Sequence, residues 1–360
     1  MGWVNGVGNA CSYRAALSSV TNAQIEVTDL SPRDIATDRA HGSISDLIER
    51  DASPIRSATI ISGLGRWIRL SYGACKLIVA PSEALHMAKA RSGTALGRLT
   101  AGPGRVRTLA AQPFVCAKWS SAVRLRRMIE HCAIVDKLSH PFDIGSGQYV
   151  EFLSFELDGH QCRFMLDQPK WRECDGLLSF SLWVAIDRVF TISICLSDDE
   201  AGRTAYVGGI QGRKSDEALD QNRALTKAAH GMRPRDLAFE LFRMLIPSLG
   251  VTRLKCVADA NRYHMTRRAF LTIDAKDKVL LNYDEIWEDR GGVPGDDGFF
   301  VLPTAFSQRD ISDVPAKKRS MYRRRYAMLD QLSTGIGIAL KSDLPILVHR
   351  ESSNAGSREQ

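Results

Sequence analysis

Two short stretches hold most of the side chains that could do chemistry. "GGIQG" ends at Gly212, and "HGMRP" runs from His230 to Pro234. If the helix that Pro234 opens is preceded by free backbone N–H groups, its positive dipole end is a place for an anion. Gly231 would then allow close approach. Arg233 would add a two-pronged contact to a phosphate, and Gln211, Gly212 and His230 would complete the lining. The competing reading is plain capping, in which Gly231 ends one helix and Pro234 starts the next.

Three further groups stand out. In "VADANRYH", Asp259 and Asn261 follow a buried strand, where sites of open α/β sheets gather, and His264 could serve as a general base. Asp259 could equally cap a helix, and His264 could bond a carbonyl. "NYDEIWEDRGG" mixes Glu285 and Glu288, each a candidate base, with the aromatic surface of Trp287. It also reads as an amphipathic turn that buries Ile286 and Trp287. "KKRSMYRRRY" places six Lys/Arg between Lys317 and Arg325. On a helix Arg319, Tyr322 and Tyr326 share a face. With Arg323 they could hold a phosphorylated ligand or an anionic lipid head group, or the helix could simply be solvated. Nucleic acid would also suit such a patch, but no nucleic-acid-binding module surrounds it.

The elements that must position these groups follow from periodicity. "AVRLRRMIEHCAIVDKL" predicts a helix over 122–137. "YVEFLSFEL" and "HQCRFML" form a hairpin turning at Asp158-Gly159. "GLLSFSLWVAI" and "RVFTISICLS" form a second with Asp187 at its turn, and "TAYVGGIQG" is a fifth strand. Ser215 and Asp216 are candidate caps for a helix ending near His230. "RPRDLAFELFRMLIPSLG" is a second helix with Leu237, Leu241 and Leu245 in one row. Arg235, Asp236, Glu240 and Arg243 lie on its other face. Gly250 ends it before the buried strand "VTRLKCVAD".

Composition narrows the classes. The chain has 360 residues, 25% of them charged, and a formal net charge of +7, which suits an anionic partner such as phosphate, CoA or lipid. Its eight cysteines include no C-x-x-C pair and read as reduced and buried. No metal-ligand spacing, G-x-S-x-G elbow, Walker A or H-E-x-x-H is present, which argues against zinc sites, serine hydrolases and P-loop enzymes. With no signal-peptide pattern and no apolar run of membrane-spanning length, a cytoplasmic protein is expected, at most peripheral to the inner membrane.

Residues 1–60 read as a disordered leader. Residues 61–109 carry basic amphipathic helices, beginning in "GRWIRLSYGACKLIVAPSEALHMAKA", and a linker, "RSGTALGRLTAGPGRVR". The main domain spans 110–335, and 336–360 form a tail. The expected fold is α+β or α/β, with a mainly antiparallel sheet.

"GGIQG…LTKAAHGMRPRDL", "VADANRYH", "YDEIWEDRGG", "GFFVLP" and "PAKKRSMYRRRYAMLDQL" together resemble the VirK/YbjX family, also called DUF535. The resemblance covers about residues 110–335. It departs at "EHC", where the family has His-Tyr, and by an extra residue between Glu173 and Gly176. It implies a bacterial cytoplasmic protein linked to virulence, envelope properties and antimicrobial-peptide tolerance, and it implies no reaction. The order strand, strand, loop, helix, strand from "VFTISICL" to "VTRLKCVAD" is also similar to the core of GNAT-type acyltransferases. In that core a strand splays from its neighbour, and the next helix start holds the pyrophosphate of CoA or acyl-CoA. The Q/R-x-x-G-x-G/A motif of that superfamily is absent.

Overall fold

The computed structural model describes residues 75–138, 142, 144, 148–167, 174–185, 187–212, 218–262, 281–341 and 348–350. The leader at 1–60, Ser215, Asp216, His264 and the last ten residues lie outside them.

After helical residues at 75–78 come α1 (Pro81–Ala88), α2 (Ala95–Thr100), α3 (Arg105–Ala111) and α4 (Ser121–Val135). Thr94 and Ser120 cap α2 and α4 through their hydroxyl oxygens. The segment expected as a linker is therefore helical. Its glycines provide turns, with φ +103° at Gly102 and +73° at Gly104, while Leu96 and Leu99 among them, and Leu109 just after, enter the core. That core is shared with the sheet, so the described residues before 110 have no separate core.

A meander follows: β1 (Gln148–Leu157), β2 (His160–Asp167), β3 (Leu178–Val184), β4 (Asp187–Asp199) and β5 (Gly202–Gly212). The first hairpin turns at Asp158 and Gly159, both at positive φ, as expected. Asp187 is already in β4 rather than at the turn, where Ala185 takes φ +50°. Then come α5 (Ala218–Ala228), α6 (Pro234–Leu245), β6 (Val251–Val257), α7 (Tyr283–Glu288), β7 (Val293–Pro294), β8 (Phe299–Leu302), α8 (Ala316–Ala339) and β9 (Val348–Arg350). The basic helix thus runs past residue 335, and part of the expected tail pairs with β1.

The nine strands form one sheet in the order β7-β8-β6-β5-β4-β3-β2-β1-β9. Every neighbouring pair is antiparallel except β5 and β6. The fold is α+β with a mainly antiparallel sheet, as expected. α6 connects the parallel pair and lies on the apolar face, where Phe242 meets Phe180 with ring centroids 5.3 Å apart. α8 lies beside it over β1, and Gly335 packs closely there, a Cβ at that position falling 2.7 Å from Leu153 Cδ1. α4 covers part of the opposite face, where His131 Nδ1 accepts a bond from Leu196 N at 3.0 Å. Buried among apolar groups, His131 is held neutral and its pKa is pushed down to about 3.

α6 differs from its expected amphipathic form. Glu240 and Arg243 are buried as well as its leucines. They pair with each other at 3.3 Å, and Arg243 donates to the Arg290 carbonyl. Arg243 and Arg290 flank the Phe239 ring at 4.9 and 5.0 Å. The second face of the helix is therefore a contact with the α7 end, which the spacing of charges alone does not distinguish from a solvated face.

Candidate functional site

The parallel pair is registered only from Arg203–Val251 to Val207–Cys256. β5 then continues to Gly212, paired with β4 alone. This divergence leaves a backbone edge, and Tyr283 fills it. Its hydroxyl accepts from Ile210 N and donates to Ile210 O, both at 2.7 Å. One side-chain oxygen thus stands in for the missing strand.

Tyr283 is fixed by the segment after β6. Asp259 carboxylate accepts from Tyr283 N at 3.2 Å and pairs with Arg262 at 2.7 Å. Asp284 carboxylate in turn accepts from Asp259 N at 2.7 Å. The Arg262 guanidinium stacks 3.8 Å above the Tyr283 ring. Asp259 therefore orients Tyr283 and Arg262. Glu285 is exposed on the outer side of α7. Trp287, a candidate either for a substrate surface or for the core of an amphipathic turn, is fully buried: its indole donates to Val257 O at 2.9 Å and its ring meets Phe239. Trp287 is a core residue here because the short helix must bury Tyr283, Ile286 and Trp287 together.

The His230–Pro234 junction does two things. Gly231 N donates to Thr226 O at 2.7 Å, closing α5, with His230 at φ +51° and Gly231 at φ +77°. Arg233 then stands at the N-cap of α6 with no side-chain cap bond, Pro234 opens the helix, and the Arg233 side chain is exposed. Capping accounts for Gly231 and Pro234, and it leaves Arg233 unused. α8 supplies more positive charge. Arg325 donates to His230 O through Nε and Nη2, at 3.2 and 2.8 Å. Partial burial and the nearby Arg324 and Arg325 depress the His230 pKa. Asp236 in the first turn of α6 is engaged by Arg235 and Arg290. Gln211 and Gly212 lie on the diverging half of β5.

The basic helix is partly structural. Arg319 holds the Val314 and Ser312 carbonyls, and the buried Tyr326 accepts from Arg309 N. Tyr322 packs edge-on against Tyr326 beneath Arg325. Arg323 and Arg324 are exposed, as are Lys317 and Lys318. Arg319 and Tyr326 are thus anchors rather than a free ligand face.

A second cluster, missed in the sequence, lies on the sheet face opposite α6. Strand register aligns Tyr149, Asp167, Ser179, Ser193 and Gly209 in one row. The next row holds Glu151, Met165, Ser181, Thr191 and Gln211. Ser179 and Ser193 hydroxyls lie 2.8 Å apart, and those of Ser181 and Thr191 lie 3.1 Å apart. Beyond them Arg188 pairs with Asp167 at 2.7 Å and stacks 4.9 Å over Trp183. Burial raises the Glu151 pKa, against the pull of Arg163. The Asp175 loop crosses β5 closely: a Cβ on Gly208 would fall 2.2 Å from Asp175 O, and one on Gly209 2.4 Å from Asp175 Cγ. The glycines of "GGIQG" thus serve this crossing. "SFSLW" and "FTISI" carry the period-two signal that marks the polar rows.

A family model described as "Protein of unknown function (DUF535)" matches residues 66–337. The protein YbjX of Escherichia coli K12, described as uncharacterized, is 32% identical over 141 residues, 39% of this chain and 42% of that protein. A protein of Haemophilus influenzae Rd is 35% identical over 130 residues, 36% of this chain and 42% of its own. Another from the same organism is 34% identical over 132 residues, 37% of this chain and 42% of its own. The chain therefore spans less than half of the length of these relatives. No solved structure matches.

Proposed function

The chain belongs to the DUF535 family, and from that premise we propose that it binds an acyl thioester of the CoA type and transfers the acyl group to an envelope-related acceptor. The observation that carries this reading is the divergence of β5 from β6, followed by a helix start flanked by unused positive charge. The donor chain would lie along the β5 edge near Ile210, and its phosphates would meet Arg233 and the N-terminus of α6. Gln211, Gly212, His230 and Gly231 would line that path. Tyr283 already occupies the edge, so a chain bonding Ile210 has to displace its hydroxyl. A role in virulence and antimicrobial-peptide tolerance in the bacterial cytoplasm would follow from modification of an envelope component. Glu285, and His264 outside the described residues, are the candidate bases within this reading.

Thermal shift with CoA and acetyl-CoA tests the proposal. Wild type should gain stability with either, and Arg233→Ala should lose most of the gain. Absence of a shift in the wild type would sink the thioester reading.

The exposed Lys317, Lys318, Arg323 and Arg324 favour a second reading, a non-enzymatic module that meets anionic lipid or an envelope protein through α8. No helix among the described residues is long and apolar enough to cross a membrane. Under this reading anionic vesicles bind the chain, and reversing those four charges abolishes binding without any effect of CoA.

A further inference from the structure

α1, α2 and α4 are tied at two places and stand apart between them. Glu83 on α1 is buried and pairs with Arg126 on α4 at 2.9 Å, while Met87 enters the core. Just past α4, the Asp136 carboxylate accepts from Ala95 N at 2.7 Å and holds the start of α2. Two of the side chains between these ties are short, Ala90 after α1 and Ala133 on α4. An open groove of about 540 Å³ remains there, floored by Leu85, Ala90, Leu96, Ile129 and Ala133. Small-ligand sites have volumes of roughly 300–1,000 Å³, so this groove is large enough to hold one.

Most of its polar lining is already engaged. The Ser82 hydroxyl donates to Glu83 at 2.7 Å. Thr94 Oγ1 donates to Arg91 O at 2.8 Å and accepts from Gly97 N at 3.0 Å. Asp136 is given to Ala95 N. His86, Lys89 and Arg91 remain. All three are exposed, and their side chains make no hydrogen bond or ion pair among the described residues. The groove therefore offers an ammonium, a guanidinium and an imidazole, and its one carboxylate is in use.

Exposed apolar surface adjoins these groups in the chain. Ile78, Val79 and Leu85 are three of the seven large apolar side chains exposed among the described residues, and they fall within eight positions. Single exposed apolar residues are ordinary, whereas a concentration of them marks a contact.

We infer that this groove binds a single-chain anionic amphiphile of the fatty-acid class. The chain lies along Leu85, Ala90, Leu96, Ile129 and Ala133, and the carboxylate meets Lys89, Arg91 and His86. A small hydrophilic anion would leave the apolar floor bare. A neutral chain would leave the ammonium and guanidinium unanswered. A bilayer surface would cover Ile78 and Val79 without entering a groove between helices. The groove shares no residue with the β5 edge, the α6 start or α8, so it stands apart from both readings of function above.

Calorimetric titration of the full chain tests it, with dodecanoate and dodecyl maltoside below their micelle concentrations and acetate as the anion without a chain. Dodecanoate should bind, acetate should not, and dodecyl maltoside should bind at least about tenfold more weakly than dodecanoate. Ala133→Trp fills the groove from an exposed position and should weaken dodecanoate at least about tenfold with the melting temperature unchanged. Lys89→Glu/Arg91→Glu, at the exposed rim, should weaken dodecanoate as much and carries the test if Ala133→Trp does not fold. The inference is overturned if dodecanoate does not bind, or if it binds both variants as well as the wild type. It is also overturned if dodecyl maltoside binds equally, if acetyl-CoA displaces dodecanoate, or if the chain binds phosphatidylglycerol vesicles but not dodecanoate.

Discussion

At the scale of single residues, the account turns on side chains that replace backbone partners. Tyr283 satisfies both polar groups of Ile210 where β6 no longer does. Tyr283→Phe keeps the ring and removes the hydroxyl, leaving a buried N–H and C=O unpaired. Urea unfolding should show a loss of about 1–3 kcal/mol with little change in slope. A loss near zero would mean that the hydroxyl bonds contribute nothing. The roles of such residues were only half legible. Gly231 and Pro234 announce a helix end and a helix start, because φ preferences are local, and they are found there. Asp259 was recognised as important, but its link to Tyr283 spans a chain separation that no periodicity carries. Trp287 stood between two readings, pocket wall and core of an amphipathic turn, and its packing against Phe239 and its bond to the Val257 carbonyl select the core.

At the scale of elements, hairpins and helices were readable wherever period and turn chemistry agreed. The first hairpin follows from Asp158-Gly159, and α4 from its apolar spacing. The linker expectation failed because glycine frequency was weighed above the leucines between the glycines. The polar rows of β3 and β4 were hidden for a physical reason: alternation tells which residues share a face, but not whether that face is covered. The contact between α4 and β4 gives a further prediction. His131 is buried neutral, with a folded pKa below its ordinary value of 6.5. The unfolded chain therefore binds a proton that the folded chain does not, and stability falls as pH drops from about 6.5 towards 3. Within that window His131 contributes a slope of up to about 1.4 kcal/mol per pH unit. Denaturation of His131→Gln across the same range should show a shallower acid loss than wild type. Carboxylates titrate alike in both proteins and cancel. Parallel curves for the two would show that His131 does not titrate on unfolding.

At the scale of the whole molecule, one mixed sheet carries two distinct features on different surfaces. The β5 edge with the α6 start forms one, and the buried polar face forms the other. α8 braces the first of them through Arg325 and the His230 carbonyl. Family membership was legible from motifs scattered along the chain, and so was the strand–helix–strand order around α6. The divergence of that pair was legible only as an analogy, since a strand's sequence does not state where its partner ends. Hydrogen exchange of the full chain with and without acetyl-CoA tests the thioester reading most directly. Added protection is expected at Gly208–Gly212 and at Gly231–Arg235, with the Ile210 amide changed as its bond passes from Tyr283 to the donor. Protection confined to Lys317–Arg324, or no change with saturating acetyl-CoA, would contradict it.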